Sequence, residues 1–416
     1  MDIKLEGDLA ALSNTSEQVC KEILIEKGFT KCTVEVQAVG KKGDNYVANV
    51  KRFIAQQDDV NDGKPFKMIV KLAPNMEQLR EMMFTGIAFN NEIIVYNDLF
   101  PKYDEIQEAA NIPVKERLKH PKCYGTSSDA PNEVILLEDI CESGFKLLDR
   151  FVSMTDEQAR IALKDLAKIH ALSFVLKNQH QQFYEKMKNS LSNLWAETKN
   201  FEEMQQFAIQ LENDAIKMLK SEEYKRKIKG LVTNLPKISL ALHNKDINSK
   251  HSAIVQGDCW TNNMMFKIEN VSPIEVMMLD YQLSRIASPA ADILYFTFNC
   301  VNYETRKQHF NDWIEYYYKC FEDFLFNFNL KANFVYPRDK LDADLQLNSK
   351  NSFAVAVMIS NMLVRESDDV IDFKDNPDVF SNIDAFSVDE MRDVVAERYN
   401  KKVQGLLQSC IDFGYL

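Results

Sequence analysis

Short segments of the chain are either continuously apolar or alternate between apolar and polar residues. They predict the strands of a structure that also contains helices. Apolar segments that are bounded by Gly, Pro, Asn or Asp are typical of strands. Glu269–Pro273, between two such segments, has the composition of a turn, so we expect a hairpin there. The predicted strands are Thr33–Val39, Tyr46–Phe53, Phe66–Leu72, Val134–Leu137, Met264–Ile268 and Val276–Leu279.

Helical spacing of the apolar residues predicts helices mainly in the second part of the chain. A first helix is expected to begin at Asn14, with Glu17 in its first turn, and to end at Gly28. The apolar positions of Met76–Leu99 predict one long helix, and Thr155 is expected to cap another. The C-terminal part is mostly helical and rich in aromatic residues. Together with the strands, this pattern indicates an α+β fold.

Composition limits the classes of protein to which the chain can belong. Its 416 residues are 45% hydrophobic, which is enough for a large core and more than one lobe. The net charge of −12, without a basic cluster, argues against nucleic acid as a partner. The eight cysteines are scattered and form no C-x-x-C pair, which fits a reducing compartment. Because no apolar segment approaches the ~18 residues of a membrane span and no secretory signal is evident, we expect a cytoplasmic protein without a membrane partner.

The predicted hairpin carries the strongest candidate chemistry. Asp258 and, five residues on, Asn263 lie in the loop before it, and Asp280 follows its second strand. A hairpin brings its open ends together, so the three side chains should be neighbours. A free carboxylate beside an Asn–Asp pair that offers oxygens to a hard cation is what metal-dependent phosphoryl transfer requires. The alternative is an ordinary hairpin with a polar turn.

Two earlier segments fit a nucleotide site but also allow simpler interpretations. Gly40, Gly43 and Asn45 lie in a turn between two predicted strands, where backbone amides can approach phosphate oxygens. The turn is not a Walker A motif, and a plain hairpin turn is the simpler alternative. Lys71 lies within a strand and Glu92 on the following helix; as an ion pair they would hold a lysine on the phosphates. Alternatively, Lys71 is an edge residue and Glu92 a solvated one.

A lobe boundary is expected after the buried strand that ends at Leu137. An extended segment there would offer backbone groups to an adenine edge, and Glu138 and Ile140 are the candidates. His170 lies on the apolar face of the helix after Thr155 and is interpreted as a hydrogen-bonded core histidine. The acidic stretch Glu366–Asp378 is interpreted as a solvated loop. These features follow one another in the order glycine turn, strand lysine, helix glutamate, hinge, Asp-x-x-x-x-Asn and hairpin aspartate, which is the order of a kinase.

Five longer segments of the chain are distinctive: QGDCWTNNMMF (Gln256–Phe266), LDYQLSRIASPAADILYF (Leu279–Phe296), FNNEIIVYNDLFP (Phe89–Pro101), VILLEDI (Val134–Ile140) and KIHALS (Lys168–Ser173). These segments resemble the ecdysteroid kinase-like family, also called CHK-kinase-like, of the aminoglycoside phosphotransferase and choline kinase superfamily. The resemblance spans nearly the whole chain.

The resemblance implies a two-lobed, protein-kinase-like fold. Residues 1–137 would form a small nucleotide-binding N-lobe with an antiparallel sheet, 138–145 a hinge, and 146–416 a larger, mostly helical C-lobe with the acceptor pocket. The family roles would make Asp258 the catalytic base. Asn263 and Asp280 would hold Mg²⁺, and Lys71 with Glu92 would position the phosphates of ATP. Asp292 and His170 would support the catalytic loop.

The implied activity is an ATP- and Mg²⁺-dependent transfer of phosphate to a hydroxyl of a small molecule. The family suggests an ecdysteroid, or another hydroxylated lipophile or xenobiotic, in insects, with the protein acting as a monomer. A choline- or ethanolamine-type kinase is one alternative, with the acidic stretch contributing to a cationic site. A ligand-binding pseudokinase is another, because Gln256 replaces the histidine that usually precedes Gly-Asp in the family. Since Gln also donates and accepts hydrogen bonds, we expect activity to be retained.

Overall fold

The structure, a computed structural model, describes residues 2–41, 43, 48–57, 64–197, 201–370 and 386–416. Within these residues, the side chains of residues 201 and 203 are not described. The fold is α+β as predicted, with a small sheet-bearing N-lobe and a larger helical C-lobe. The boundaries of the hinge and lobes stay a prediction.

The N-lobe is organised around a six-stranded sheet with the order β1-β2-β3-β4-β6-β5. Its strands are β1 (Asp2–Gly7), β2 (Lys31–Ala38), β3 (Asn49–Gln57), β4 (Phe66–Leu72), β5 (Cys123–Ser127) and β6 (Val134–Glu138). The predicted antiparallel pairing holds for β2 to β6. The edge pair β1–β2 is parallel, because helix α1 (Asn14–Glu26) provides the long crossover that parallel neighbours need.

Helix α1 covers one face of this sheet. Cys20 and Leu24 of α1 are buried against Val34 and Phe53 of the strands. The helix begins at Asn14 as predicted, after the N-cap Ser13, which forms a capping box with Ser16. A capping box satisfies otherwise unpaired backbone donors at the helix start.

The segment predicted as one helix from Met76 to Leu99 is interrupted. It forms α2 (Glu77–Met82), α3 (Thr85–Ile94), a π-helical turn (Val95–Leu99) and then α4 (Phe100–Ala109). Phe84 separates the first two helices with a left-handed backbone, φ +50°. Helical spacing persists across such a break, so periodicity alone did not locate it. After the break, Glu92 of α3 reaches β4, where it pairs with Lys71.

The predicted hairpin is present and belongs to a second sheet with the order β10-β9-β7. Its strands are β7 (Phe145–Leu147), β9 (Met264–Glu269) and β10 (Ser272–Met278). The turn is tighter than predicted, because Asn270 and Val271 both take positive φ, +48° and +72°, as in a two-residue hairpin turn. Strand β10 is one residue longer than β9, and a shift of register between Pro273 and Glu275 accommodates the extra residue. Short strand β7, which was not predicted, pairs with β9.

The C-lobe is helical around a large apolar core. Its helices are α5 (Asp156–Gln179), α6 (Gln181–Ser190), α7 (Leu194–Glu197), α8 (Phe201–Met218), α9 (Glu222–Ile228), α10 (Leu235–Asp246), α11 (Pro289–Cys300), α12 (Tyr303–Phe326), α13 (Ala332–Val335), α14 (Arg338–Leu363) and α15 (Asp393–Asp412). Thr155 caps α5 as predicted, in a capping box with Gln158. A two-stranded antiparallel sheet of β8 (Ala253–Val255) and β11 (Arg285–Ala287) lies among these helices.

None of the helices among the described residues has the length and apolar character needed to cross a membrane.

The first residues of the acidic stretch after Val364 form ion pairs with arginines. Glu366 pairs with Arg398 at 3.0 Å and with Arg392 at 3.2 Å, and Asp369 also pairs with Arg392. Its later carboxylates, including Asp372 and Asp375, lie outside the described residues.

Candidate active site

The carboxylate of Asp258 lies in a buried loop and is held on both oxygens. Its Oδ2 accepts a hydrogen bond from Asn263 Nδ2 at 3.0 Å, and its Oδ1 accepts one from the hydroxyl of Tyr295. Burial raises the pKa of Asp258 to about 7, and the negative charge of Asp280 adds to the rise. The hydrogen bonds from Tyr295 and Asn263 oppose it. The result is a carboxylate with the basicity of a proton acceptor near neutral pH.

The open end of the hairpin brings Asn263 and Asp280 together. Met264 and Met278 pair across the strands, and the amide of Leu279 donates to the carbonyl of Asn263 at 2.8 Å. Asp280 then leaves the strand with φ +57°, a left-handed conformation that is uncommon for a residue with a side chain. The structure therefore places Asn263, Asp280 and Asp258 in one neighbourhood, as the sequence predicted.

Gln256 connects the catalytic loop to the turn at Asp280. Its Nε2 donates to the carbonyls of Leu279 at 3.0 Å and Asp280 at 2.9 Å. Its Oε1 accepts from the amide of Asp258 at 2.6 Å. One fully buried side chain thus holds the backbone on both sides of the site. The glutamine can hold this backbone in position because an amide both donates and accepts.

Lys71 lies between two carboxylates. Its Nζ donates to Glu92 Oε2 in a close ion pair and to Asp280 Oδ1 at 2.8 Å. Burial alone would lower the pKa of Lys71, but Asp280 and Glu92 together raise it above its usual value. Burial raises the pKa of Glu92, and the charge of Lys71 opposes that rise. Both side chains are buried, so the edge-residue and solvated-glutamate alternatives are wrong.

Asp292 and His170 support the catalytic loop from below. Asp292 accepts hydrogen bonds from the amides of Gln256 at 2.8 Å and Gly257 at 3.0 Å. The ring of His170 contacts Asp292 through Nε2 at 3.2 Å and the Tyr317 hydroxyl through Nδ1 at 2.7 Å. All are fully buried. The interpretation of His170 as a hydrogen-bonded core histidine is confirmed.

The polar groups at the hairpin end suit a hard cation. Asn263 and Asp280 offer oxygens, and the carboxylate of Asp280 is partly exposed while its Oδ1 is shared with Lys71. Mg²⁺ usually takes one or two protein oxygens and completes its shell with water and phosphates. Among the described residues, no cluster of three or more His, Cys, Asp and Glu side chains could hold a metal. The donor set therefore fits Mg²⁺ bound together with a nucleotide.

The predicted phosphate turn is partly described. Gly40 and Gly43 have φ of +84° and +89° in the connection from β2 to β3, and Asn45 lies outside the described residues. The carbonyl of Gly43 accepts from Arg150 Nη1 at 2.7 Å, which ties this turn to the C-lobe. A phosphate-binding role for the turn stays a prediction.

The hinge differs from the extended segment that was predicted. Ile140–Ser143 form a 3₁₀ turn, because the Asp139 carboxylate accepts from the Cys141 amide at 3.2 Å and also pairs with Arg52. The amide of Glu138 donates to the carbonyl of Lys122 at 2.8 Å. Ile140 is buried in the small apolar cluster below β9. Adenine binding by Glu138 and Ile140 stays a prediction.

Sequence reasoning missed two residues that belong to this site. Tyr295 lies within an apolar run of α11, but it follows Asp292 by nearly one helical turn and therefore shares its face. Asn91 precedes Glu92; it exchanges hydrogen bonds with the backbone of Ser192 at 2.9 Å and donates to Gln282 at 3.1 Å. A polar residue within a predicted apolar face was the only signal for either.

The sequence of the chain matches a known protein family over most of its length. Residues 42–330, well over half of the chain, match the ecdysteroid kinase-like family. The chain belongs to this family. Membership in the ecdysteroid kinase-like family supports a small-molecule phosphotransferase, in agreement with the resemblance found in the sequence motifs.

Solved structures of other kinases are distantly similar to this ecdysteroid kinase-like chain. The GDP complex of wild-type aminoglycoside 2′-phosphotransferase-IIIa has a TM-score of 0.43 at 11% identity, covering 93% of this chain and 99% of that one. An ethanolamine kinase from Plasmodium vivax has a TM-score of 0.39 at 12% identity, covering 84% of each chain. No curated protein matches the chain.

Proposed function

We propose that this protein transfers the γ-phosphoryl group of ATP to a hydroxyl of a small organic molecule, with Mg²⁺ as the metal. An ecdysteroid or another hydroxylated lipophile is the acceptor class that family membership favours. The observation that carries the proposal is that two sets of side chains lie close together at the open end of the hairpin. Asp258 is hydrogen-bonded to Asn263, and Asp280, close by at the hairpin end, pairs with Lys71, which also pairs with Glu92.

The proposed reaction exchanges one P–O bond for another. The acceptor oxygen bonds to the γ-phosphorus, the bond from that phosphorus to the β–γ bridging oxygen breaks, and ADP leaves. Asp258 takes the proton of the acceptor hydroxyl. The hydrogen bonds that Asp258 accepts from Asn263 and Tyr295 fix the orientation of its carboxylate. Phosphoryl transfer depends on a base that is held in this way relative to the acceptor hydroxyl.

The remaining residues act on the nucleotide. Lys71, kept charged by Glu92 and Asp280, would bind phosphate oxygens as its contact with Asp280 loosens. Asn263 and Asp280 would hold Mg²⁺, which when bound neutralises charge on the phosphates. Gln256 keeps Asp280 in its left-handed conformation, so the metal-binding carboxylate is oriented before any ligand arrives.

Among the described residues, which leave out most of the acidic stretch, neither alternative gains an observation of its own. The pseudokinase alternative was motivated by Gln256, but that side chain holds both backbone segments of the site. The choline-type alternative looked to the acidic stretch, where Glu366 and Asp369 are paired with arginines. A cationic head group needs carboxylates that are free to face it.

The test is phosphate transfer from γ-labelled ATP with Mg²⁺ to a panel of ecdysone, other sterols, plant glycosides, choline and ethanolamine. Products are identified by mass spectrometry. We expect a phosphorylated sterol or glycoside that is lost in Asp280→Asn. Phosphocholine as the product would instead identify a choline-type kinase. Tight ATP binding without any product would favour the pseudokinase.

We further infer that the protein acts in the cytosol. No disulfide joins any of the eight cysteines, all of which lie among the described residues, and Cys20, Cys259, Cys300 and Cys410 are buried. Free thiols are the usual state in a reducing compartment, which is also where ATP is abundant.

A further inference from the structure

Residues Gln282–Ser284, between the end of the hairpin and strand β11, pack directly against the catalytic loop. We call these residues the connecting segment. The carbonyl of Leu283 approaches Gly257 so closely that a Cβ added to that glycine would lie 2.2 Å from the oxygen. Gly257 also has a φ of +91°, which favours glycine over any residue with a side chain. The glycine before the proposed base therefore permits this close approach of the connecting segment.

Two further contacts join the connecting segment to the catalytic loop. The hydroxyl of Ser284 donates to the carbonyl of Gln256 at 3.2 Å, and both residues are buried. The side chain of Gln282 lies within hydrogen-bonding range of the carboxylate of Asp258. The proposed base and the two residues before it thus all contact the connecting segment. A displacement of that segment would therefore displace the base.

Helix α3 of the N-lobe holds the connecting segment from its other side. Asn91 of α3 is fully buried, and its Nδ2 donates to the carbonyls of Gln282 at 3.1 Å and Ser192 at 2.9 Å. Its Oδ1 accepts from the amide of Ser192 at 2.9 Å. These bonds use both N–H groups of the side-chain amide. Asn91 therefore connects α3 to two separate parts of the C-lobe backbone.

The same helix also carries the partner of the proposed phosphate-binding lysine. Glu92, the next residue, pairs with Lys71, and Lys71 also donates to Asp280 at 2.8 Å. Neighbouring residues of one helix thus contact the nucleotide side of the site and the segment that abuts the catalytic loop. A change in the position of α3 would act on both.

A buried amide that pairs with backbone groups stabilises a fold wherever it lies. With that role alone, the loss of Asn91 would lower the free energy of unfolding and leave the transfer step unchanged. The contacts of Asn91 go further, because its partner Gln282 belongs to the segment on which the catalytic loop rests. Small displacements of reacting groups cost large factors in rate, so a role in positioning is visible in the transfer step.

We propose that Asn91 is a positioning residue for phosphate transfer. It holds the connecting segment against the catalytic loop, so that the placement of Asp258 depends on the docking of α3. The inference rests on the proposed function, because the step that it affects is transfer to the acceptor. Asn91 acts through the backbone of Gln282 and not on the acceptor itself.

The first test measures single-turnover phosphate transfer at saturating MgATP, with the affinity for MgATP measured separately. Asn91→Ala and Ser284→Ala should each slow transfer by about fivefold, within the range for one lost hydrogen bond, and bind MgATP as wild type does. Because both residues act through the connecting segment, the double variant should lose clearly less than the roughly 25-fold expected of independent effects. Asn97→Ala is the matched control. It removes an exposed amide that donates to Thr126 from the turn after α3, and should transfer phosphate as wild type does.

The second test needs no acceptor, because it measures hydrogen exchange of the full chain by mass spectrometry. Asn91→Ala should speed exchange of the catalytic-loop amides, 256–263, while exchange in helix α12 and in the Asn97→Ala control stays as in wild type. Circular dichroism checks that each variant is folded. If the alanine variant does not fold, Asn91→Ser replaces it; its short side chain cannot reach both carbonyls, so the same faster exchange is expected.

The outcomes separate this inference from the proposed function. A wild-type transfer rate in Asn91→Ala, or unchanged exchange of the catalytic loop, would overturn the inference while the proposed function stood. Loss of MgATP affinity alone, or a double variant that shows the full product of the single effects, would overturn it as well. If exchange responds as expected but wild type phosphorylates no acceptor, the proposed function fails and Asn91 still positions the loop.

Discussion

At the scale of single residues, hydrogen bonds from buried side chains to the backbone determine the shape of the site. Gln256 satisfies two carbonyls and one amide, and Asp292 satisfies two amides. Unpaired buried polar groups are costly, so each of these side chains has an effect larger than that of an average surface residue. Neither touches a reacting atom, and both act through Asp258 and Asp280.

Gln256→Ala should be destabilising and weakly active. It leaves backbone groups at Leu279, Asp280 and Asp258 without their partner, which costs about 1–3 kcal/mol of unfolding free energy. Urea denaturation measures this loss, and transfer assays should show a lower kcat because Asp280 is no longer held. Gln256→His, which can still donate and accept, is the matched variant and should stay closer to wild type. An alanine variant as stable and active as wild type would contradict the role assigned to this side chain.

Tyr295→Phe should alter the pH dependence of the reaction. The hydroxyl donates to Asp258 and so stabilises the charged carboxylate, which lowers the pKa of that group. Without it, the pKa rises, less of the base is deprotonated at a given pH, and the acid limb of kcat/KM moves to higher pH. Profiles of wild type and variant, recorded with the same acceptor, measure the shift. An unchanged or downward-shifted limb would show that Tyr295 does not act on the base.

At the scale of elements, the strands and capped helices follow the hydrophobic pattern closely. β4 has the predicted bounds, and α5 begins after the predicted cap at Thr155. These elements could be predicted because their signal is local, in the alternation of apolar residues or in a capping side chain. The candidate site could be predicted for the same reason, since a hairpin brings its own ends together.

Other elements could not be predicted, because their cause lies elsewhere in the chain. The break lies at Phe84, which is neither Gly nor Pro, and after it Glu92 of α3 pairs with Lys71. Strand β7 has only three residues and is defined by pairing with β9. The hinge turn depends on Arg52 and Asp139, which are distant in sequence. Tertiary contacts of this kind leave no period in the sequence.

Thr155→Ala should weaken helix α5 without touching the chemistry. The Thr155 hydroxyl accepts from the Gln158 amide, and losing an N-cap costs about 1 kcal/mol. Urea denaturation should show a drop of that size, while KM for nucleotide and acceptor stays unchanged. Thr155→Ser keeps the hydroxyl and should retain wild-type stability. A large loss of activity in the alanine variant would mean that the cap also positions the site.

At the scale of the whole molecule, the active site is where the two lobes meet. Lys71 of β4 pairs with Asp280 of the C-lobe, and Arg150 donates both to Gly43 and to the carbonyl of Arg365. The N-lobe thus brings the lysine and its glutamate, and the C-lobe brings the proposed base and the residues proposed to hold the metal. The central claim is that the residues at this junction of the two lobes catalyse phosphate transfer. Asp258 acts as the base, and Lys71, Asn263 and Asp280 hold MgATP.

The most direct measurement compares the chemical step of wild type and Asp258→Asn at saturating MgATP and acceptor, with nucleotide affinity measured separately. The amide keeps the size of the carboxylate but cannot take the proton. The account predicts that the variant binds MgATP as wild type does and transfers phosphate at least about a hundredfold more slowly, the range for a lost general base. Transfer by Asp258→Asn at the wild-type rate, with unchanged nucleotide affinity, would contradict it.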